Sequence, residues 1–249
     1  MICIKWGSKY DSYYVNRLYA GVVSNLSRPT DFYCMTEDPT GIRSEVKILP
    51  LPDEPFSPII RKELEKSRRK GAFGKISLFK PGLIKDSGPI LGFDLDVVIT
   101  GPLDDLFDYA PGKVCMRHDW LAARIGRPDG HGSVFRFDPE RHSFLYEDFA
   151  SDAANLMRRA KYSEQKYTSM QAQKYNEFAY FPGDWIASYK RDAMRPFPLN
   201  HFQEPRLPTG AKVVCFHGRP KMEEAVTGYN ETIFRTAKPC AWLARAWED

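Results

Sequence analysis

Two carboxylates, Asp94 and Asp96, stand one residue apart inside PILGFDLDVVIT (residues 89–100). The run is otherwise apolar and β-branched, bounded by Gly88-Pro89 and Gly101-Pro102. Burying a carboxylate in such a run is costly unless a cation or hydrogen bonds compensate. If the run is one strand, residues i and i+2 point to the same face, and the two charges repel unless a cation sits near them. A hard divalent ion answers that need, because Mg²⁺ and Mn²⁺ prefer oxygen ligands. The alternative is a strand that ends at Phe93, with both aspartates in the loop beyond. A third candidate, His217, ends the apolar run KVVCFH (residues 212–217), 121 positions after Asp96 (217 − 96). Imidazole suits Mn²⁺ as one ligand among oxygens. A histidine at a strand end is by itself commonly structural; its pairing with the acidic run turns the reading toward a metal. Lys221, four residues on, is placed to meet a phosphate as a point charge.

The elements that must position these groups follow from periodicity. Ile2 to Trp6 reads as a first buried strand ending at Gly7. Asp11 is a plausible N-cap, and Tyr14, Val15, Leu18, Tyr19, Val22 and Val23 recur at helical spacing. Phe32 to Met35 and Val46 to Leu51 read as strands, so the chain opens β-α-β-β, the start of an open α/β sheet. Residues 52–58 carry three prolines and read as a loop. A helix over 59–70 follows, rich in basic residues. Pro89 to Thr100 reads as one strand and Leu103 to Phe107 as a helical turn. Val114 to Met116 and Gly132 to Phe137 read as strands, Phe144 to Ala160 and Thr168 to Glu177 as helices, and Lys212 to His217 as a late strand. No repeat or linker divides the chain, and 249 residues suit a single α/β domain.

Composition narrows the function. The 36 basic and 32 acidic residues leave a net charge of +4, too mild for a nucleic-acid binder. The five cysteines are scattered, with no CxxC pair, which argues for a reducing compartment and against structural zinc. The first residues are too short a run for a signal-peptide core, and nothing approaches a membrane span. The expectation is a cytoplasmic protein.

With these residues in view, the chain resembles bacterial GT-A-fold nucleotide-sugar glycosyltransferases related to glycogenin and the lipooligosaccharide galactosyltransferases. The resemblance runs through KWGSKYDSYYVNRLYAG, GKISLFKPG, LGFDLDVVITGPLDDLF, GSVFRF, PGDWIASYK and VVCFHGRPK. It implies one GT-A-like domain over 1–249, a mixed central sheet flanked by helices. Nucleotide-sugar binding would fall mainly in 1–117, the acceptor side in 118–211 and the metal and diphosphate segment in 212–221. It implies Mn²⁺ or Mg²⁺ at Asp94, Asp96 and His217, with Asp94 also beside the donor ribose. Lys221 becomes a diphosphate contact, Gly7 and Tyr10 part of the nucleotide loop, and Lys75 a weaker donor contact. The implied partners are a nucleotide-sugar, in first place a UDP-sugar, and a carbohydrate or glycolipid acceptor of surface-polysaccharide synthesis. Retention at the anomeric carbon is the implied outcome.

One departure stands out. Relatives carry an Asp-Gln pair before a Pro-x-x-Trp segment; the comparable stretch here reads Ser169-Met170-Gln171, before Pro182-Gly183-Asp184-Trp185. Gln171 keeps the glutamine and, with Asp184, is the candidate catalytic group, while Met170 replaces the acid. Trp120, Trp185, His118 and Asp119 are candidates for a sugar-acceptor pocket, though a tryptophan is more often plain core. The basic run Arg61 to Lys70 and the aromatic stretch Ala241 to Trp247 together form a candidate peripheral contact with an anionic inner membrane face. Two rival readings remain. FDLDVV also resembles the nucleophile strand of haloacid-dehalogenase-type phosphatases, in which Asp94 would attack phosphorus and Asp96 act as acid and base. The other rival is a non-catalytic nucleotide-sugar-binding protein.

Overall fold

A computed structural model of the chain describes residues 1–67, 73–85 and 88–248. In chain order the strands are β1 (Ile2–Lys5), β2 (Tyr33–Thr36), β3 (Lys47–Pro50), β4 (Ile90–Phe93), β5 (Val97–Ile99), β6 (Val114–His118), β7 (Gly130–Phe137), β8 (Phe178–Tyr180), β9 (Ile186–Ser188), β10 (Val213–Cys215), β11 (Tyr229–Thr232) and β12 (Arg235–Ala237). The α-helices are α1 (Ser12–Ser24), α2 (Ser57–Glu65), α3 (Asp104–Asp108), α4 (Trp120–Arg124), α5 (Phe144–Arg159), α6 (Glu164–Lys174), α7 (Met222–Thr227) and α8 (Ala241–Glu248), with a 3₁₀ turn over Gly74–Phe79.

Seven strands form a mixed sheet in the order β3-β2-β1-β4-β7-β6-β8. β3, β2, β1 and β4 are mutually parallel, and β7 runs antiparallel to both β4 and β6. A second sheet, β5-β10-β9, stands beside it. Strand alternation splits the core into two layers. Cys3, Leu91 and Phe93 pack with Val15, Leu18 and Val22 of α1, whereas Ile2 and Ile90 pack on the other side with Leu78, Phe79 and Phe137. The α1 start is set as its sequence predicts: Asp11 accepts a hydrogen bond from the Tyr13 N–H.

Four sequence expectations change. Helix α2 begins at Ser57, inside the expected loop, and ends at Glu65. Residues 89–100 are two strands in two sheets, broken at Asp94-Leu95-Asp96. The Asp94 N–H still donates to Ser133 O of the large sheet (2.9 Å), and the Asp96 carbonyl already accepts from the Phe216 N–H beside the small one (2.7 Å). The strand ends at Phe93, as in the alternative reading, and the aspartates occupy the crossover and not one face of a continuous strand. Helix α6 begins at Glu164, four residues before the expected start at Thr168. Helix α8 does not offer an apolar side outward: Leu243 and Trp247 are buried, and Trp247 rests on Tyr13 and Tyr14 of α1. Both side chains belong to the core that α8 shares with α1, so they could form a membrane-facing surface only by leaving that packing. Of the basic run, Arg68, Arg69 and Lys70 lie outside the described residues. Among the described residues no helix is long and apolar enough to cross a membrane.

Candidate nucleotide and metal site

In open α/β sheets ligands settle at the carboxyl ends of parallel strands, where the strand order reverses. Here that point lies between β1 and β4: the chain first builds outward through β2 and β3, then places β4 on the other side of β1. The residues leaving those two strand ends are Trp6 to Tyr10 and Asp94 to Asp96, and they face each other across a cavity of about 500 Å³. Gly7 turns the chain out of β1 with φ +61°, a conformation that favours glycine, and its N–H donates to Glu37 Oε1 (2.6 Å). Gly7, Tyr10, Asp94 and Asp96 thus line one cavity.

Each carboxylate has one holder. The Tyr10 hydroxyl donates to Asp96 Oδ2 (2.9 Å), and Lys75 Nζ lies 2.5 Å from Asp94 Oδ1 while donating to Gly132 O (2.7 Å). These partners do not neutralise the pair. Burial, and then the Asp94 charge, pushes the Asp96 carboxyl up to about 6. Burial pulls the Lys75 ammonium down, but Asp94 and Glu164 outweigh it and leave its pKa raised. Lys221, at the N-cap of α7, points its ammonium at the Tyr10 ring (5.4 Å), and Lys9 approaches the same ring (4.6 Å). The cavity therefore has acids on one wall and two ammonium groups beside it, a distribution suited to a metal-bound diphosphate.

His217 follows Phe216, whose N–H holds the Asp96 carbonyl, so the fold brings it to the crossover. Its Nε2 lies 3.1 Å from Ser188 Oγ, and its Nδ1 is buried without a hydrogen-bond partner. The Trp120 indole stacks on it (5.0 Å). A residue that sequence reasoning missed, His131, lies between the parts: its ring is 5.5 Å from His217, and burial, then His217, lowers its pKa to about 4. Among the described residues no three His, Cys, Asp or Glu side chains already form a metal-holding group. The donor chemistry still fits a divalent cation: two crowded carboxylates want positive charge, and an orphaned imidazole nitrogen wants a donor or a metal.

The expected catalytic pair lies elsewhere. The Gln171 amide donates to Asp148 Oδ2, which also accepts from the Tyr175 hydroxyl (3.0 Å), so this buried glutamine ties α6 to α5. Asp184 is exposed and lies against Gly210, where an added Cβ would come 2.9 Å from its Oδ2. An acid and a glutamine do lie next to Lys75: Glu164 and Gln165. They line a second cavity of about 400 Å³ together with Lys75 and Gly132. Glu164 Oε1 accepts the Lys75 N–H (2.7 Å), Gln165 Oε1 accepts the Gly132 N–H (3.1 Å), and burial raises the Glu164 carboxyl to about 7 against the pull of Lys75. Glu164 and Gln165 open α6, six residues before Met170 and Gln171. Of the proposed acceptor residues, Trp120 stays near the site, its Nε1 donating to Asp192 (3.2 Å). Asp119 instead caps α4, His118 stacks on Tyr180 with Nε2 bonded to Arg127 O, and Trp185 packs on Tyr109.

No protein-family model and no curated protein matches the sequence. Solved structures do. An active-site mutant of LgtC superposes with a TM-score of 0.59 at 11% identity over 89% of each chain. The galactosyltransferase LgtC in complex with donor and acceptor sugar analogues gives 0.57 at 11% identity, again over 89% of each chain. Mouse xyloside xylosyltransferase 1 gives 0.53 at 13% identity over 88% of this chain and 97% of its own. The chain shares the GT-A fold of these glycosyltransferases, and the resemblance read from its sequence holds at the level of the fold.

Proposed function

We propose that the protein is a divalent-metal-dependent glycosyltransferase that moves a hexosyl group, with retention, from a UDP-sugar to a carbohydrate or glycolipid hydroxyl. One observation carries the reading: the Gly7–Tyr10 loop and the Asp94–Asp96 crossover face each other at the sheet's switch point, in a fold shared with glycosyltransferases. The nucleotide would lie against the Gly7–Tyr10 loop. Asp94, Asp96 and His217 would hold Mn²⁺ or Mg²⁺, which would supply Lewis-acid stabilisation to the departing diphosphate. Lys221 would add fixed positive charge beside it. The second cavity, reached across the Lys75–Asp94 ion pair, would take the transferred sugar, with Glu164 and Gln165 in place of Gln171 and Asp184 as the polar groups against it.

The phosphatase reading needs Asp94 as a free nucleophile on a strand. Asp94 is instead in the crossover and ion-paired with Lys75. Turnover separates the remaining alternatives: sugar transfer or donor hydrolysis fits the proposal, phosphate release from small phosphoesters the phosphatase, and binding without turnover the non-catalytic reading. The test of the site is calorimetric titration of UDP in Mn²⁺ and in EDTA. Affinity should depend on the metal, and equal affinity in EDTA overturns the metal assignment.

A further inference from the structure

The His217–Lys221 segment has a cavity on its other side as well. Five cationic side chains line it: Lys190, Arg191, Arg195, Arg219 and Arg235. Its volume is about 470 Å³, and no carboxylate is among its lining residues. Three of the cations have partners: Arg219 pairs with Glu224, Arg235 with Glu231 (3.3 Å), and Arg195 bonds the neutral Gln203 side chain (2.9 Å). Among the described residues Lys190 and Arg191 have no carboxylate within ion-pair distance. Both belong to the tight helical turn Tyr189–Ala193 after β9, and Lys190 Nζ packs against Gly218, the residue after His217. A buried donor completes the wall. The Tyr229 hydroxyl is buried without a hydrogen bond; burial and then the Glu231 carboxylate raise its pKa, but the geometry closes no bond between the two.

The mouth of this cavity is apolar. Phe234 lines it, is 66% exposed, and meets Phe197 edge-on at 5.0 Å; Phe202 and Ile233 nearby are 78% and 59% exposed. Large apolar side chains clustered at the rim of a charged pocket mark a binding surface. Charge unmatched by the protein, a free buried hydroxyl and an apolar rim call for one kind of ligand.

We propose that this cavity binds a phosphate group carried on an apolar chain, held by Lys190, Arg191 and Tyr229, with the chain lying over the Phe197–Phe234 rim. Resting on the glycosyltransferase reading, the ligand is the anionic end of the acceptor or of the membrane that presents it. It sits across the His217–Lys221 wall from the donor, so the two should bind together.

The probes are dihexanoyl phosphatidic acid below its micelle concentration, inorganic phosphate, and vesicles with and without phosphatidylglycerol. The phosphatidic acid should bind UDP-saturated protein more tightly than inorganic phosphate does. Lys190→Ala/Arg191→Ala should weaken it at least ~10-fold, in line with loss of charge-assisted hydrogen bonds. Phe234→Ser should remove the advantage of the chain and leave inorganic phosphate unaffected. Equal binding by the double variant overturns the proposal, and so does displacement of the phosphatidic acid by UDP, which would assign the cations to the donor. Sedimentation with phosphatidylglycerol vesicles that the double variant loses identifies a membrane headgroup; monomer binding without sedimentation identifies a lipid phosphate substrate. If UDP itself fails to bind, the donor reading falls alone, because the phosphatidic acid titration is then decided without it.

Discussion

Asp94 follows β4 and Asp184 precedes β9, so each acid stands where an apolar strand meets a turn, yet their settings are opposite. Asp94 lies at a crossover between two sheets, ion-paired with Lys75 and close enough to Asp96 to raise its carboxyl. Asp184 is exposed in the turn before β9, at the opposite end of that strand from Ser188, which meets His217. A carboxylate costs little where water reaches it and a great deal where it does not. Of these two places, it is the crossover that crowds charge and borders a cavity. An acid beside an apolar run becomes informative when the chain changes sheet at that point.

The sharpest way to break this comparison is to remove one acid from each place. Asp96→Asn should weaken Mn²⁺-dependent UDP binding by about 100-fold, since it removes the charge of a candidate ligand while leaving Tyr10 an acceptor. Asp184→Asn should leave it within about twofold, as for surface substitutions generally. Calorimetry on both variants decides the matter; equal losses would mean that the two acids belong to one site. His217→Ala comes next, with a loss of ~10–100-fold. Gln171→Ala should lower thermal stability through its buried bond to Asp148 and leave UDP affinity unchanged. A His217 variant that binds UDP as the native protein does would make its orphaned Nδ1 a structural accident.

The comparison also tells what was legible in the sequence. β1, α1, β2 and β3 could be read to within a residue or so because short bounded apolar runs and helical spacing are clear there. The charge cluster Asp94–Asp96 was legible for the same reason that it is costly: nothing else in residues 89–100 is polar before Thr100. The break in that strand stood only as the alternative in which the strand ends at Phe93, because Leu91, Phe93, Val97 and Val98 remain apolar on both sides of it, and only the pairing partners, β7 and β10, decide for two sheets. Helix α6 hid its start for a different reason. Its buried face includes Thr168, Ser169 and Gln171, so no apolar stripe announces the helix, and Glu164-Gln165 passed as loop. His131, between Gly130 and Gly132, had no periodic signal at all; its meaning comes from the rings of Trp120 and His217 packed against it.

A third intervention probes how the crossover is held. An added Cβ on Gly92 would lie 2.3 Å from the Phe135 ring, and that ring carries the Lys75 ammonium at 5.3 Å. Gly92→Ala should therefore cost about 1–3 kcal/mol of stability, the usual range for overpacking. It should also weaken UDP binding beyond what unfolding explains, because Lys75 loses its platform. Denaturant titration and calorimetry on the same sample separate the two effects. A variant that is destabilised but binds UDP normally would remove Lys75 from the donor site.

The smallest effect concerns the acid itself without ligand. The Asp96 pKa is about 6 in the folded chain against 3.8 for an ordinary aspartate, raised by burial and then by Asp94. An acid whose folded pKa is raised penalises the folded state when it is ionised. The penalty is fully present above about pH 6 and relieved as pH falls through 6 toward 4, because the folded protein then binds the proton first. At 1.36 kcal/mol per unit, and discounted for the solvent that still reaches the site, the penalty is on the order of 1 kcal/mol. Asp96→Asn removes the charge and keeps the shape, so the ligand-free variant should melt ~2–4 °C above the native protein at pH 7.5. The gap should close as the pH approaches 5. Saturating UDP and Mn²⁺ should reverse the order, since only the native carboxylate gains from the bound cation. Melting curves at both pH values, with and without UDP and Mn²⁺, test this directly. A native protein that melts above the variant without ligand at pH 7.5 would show that Tyr10 compensates Asp96, and the crossover would lose its claim to unmet charge.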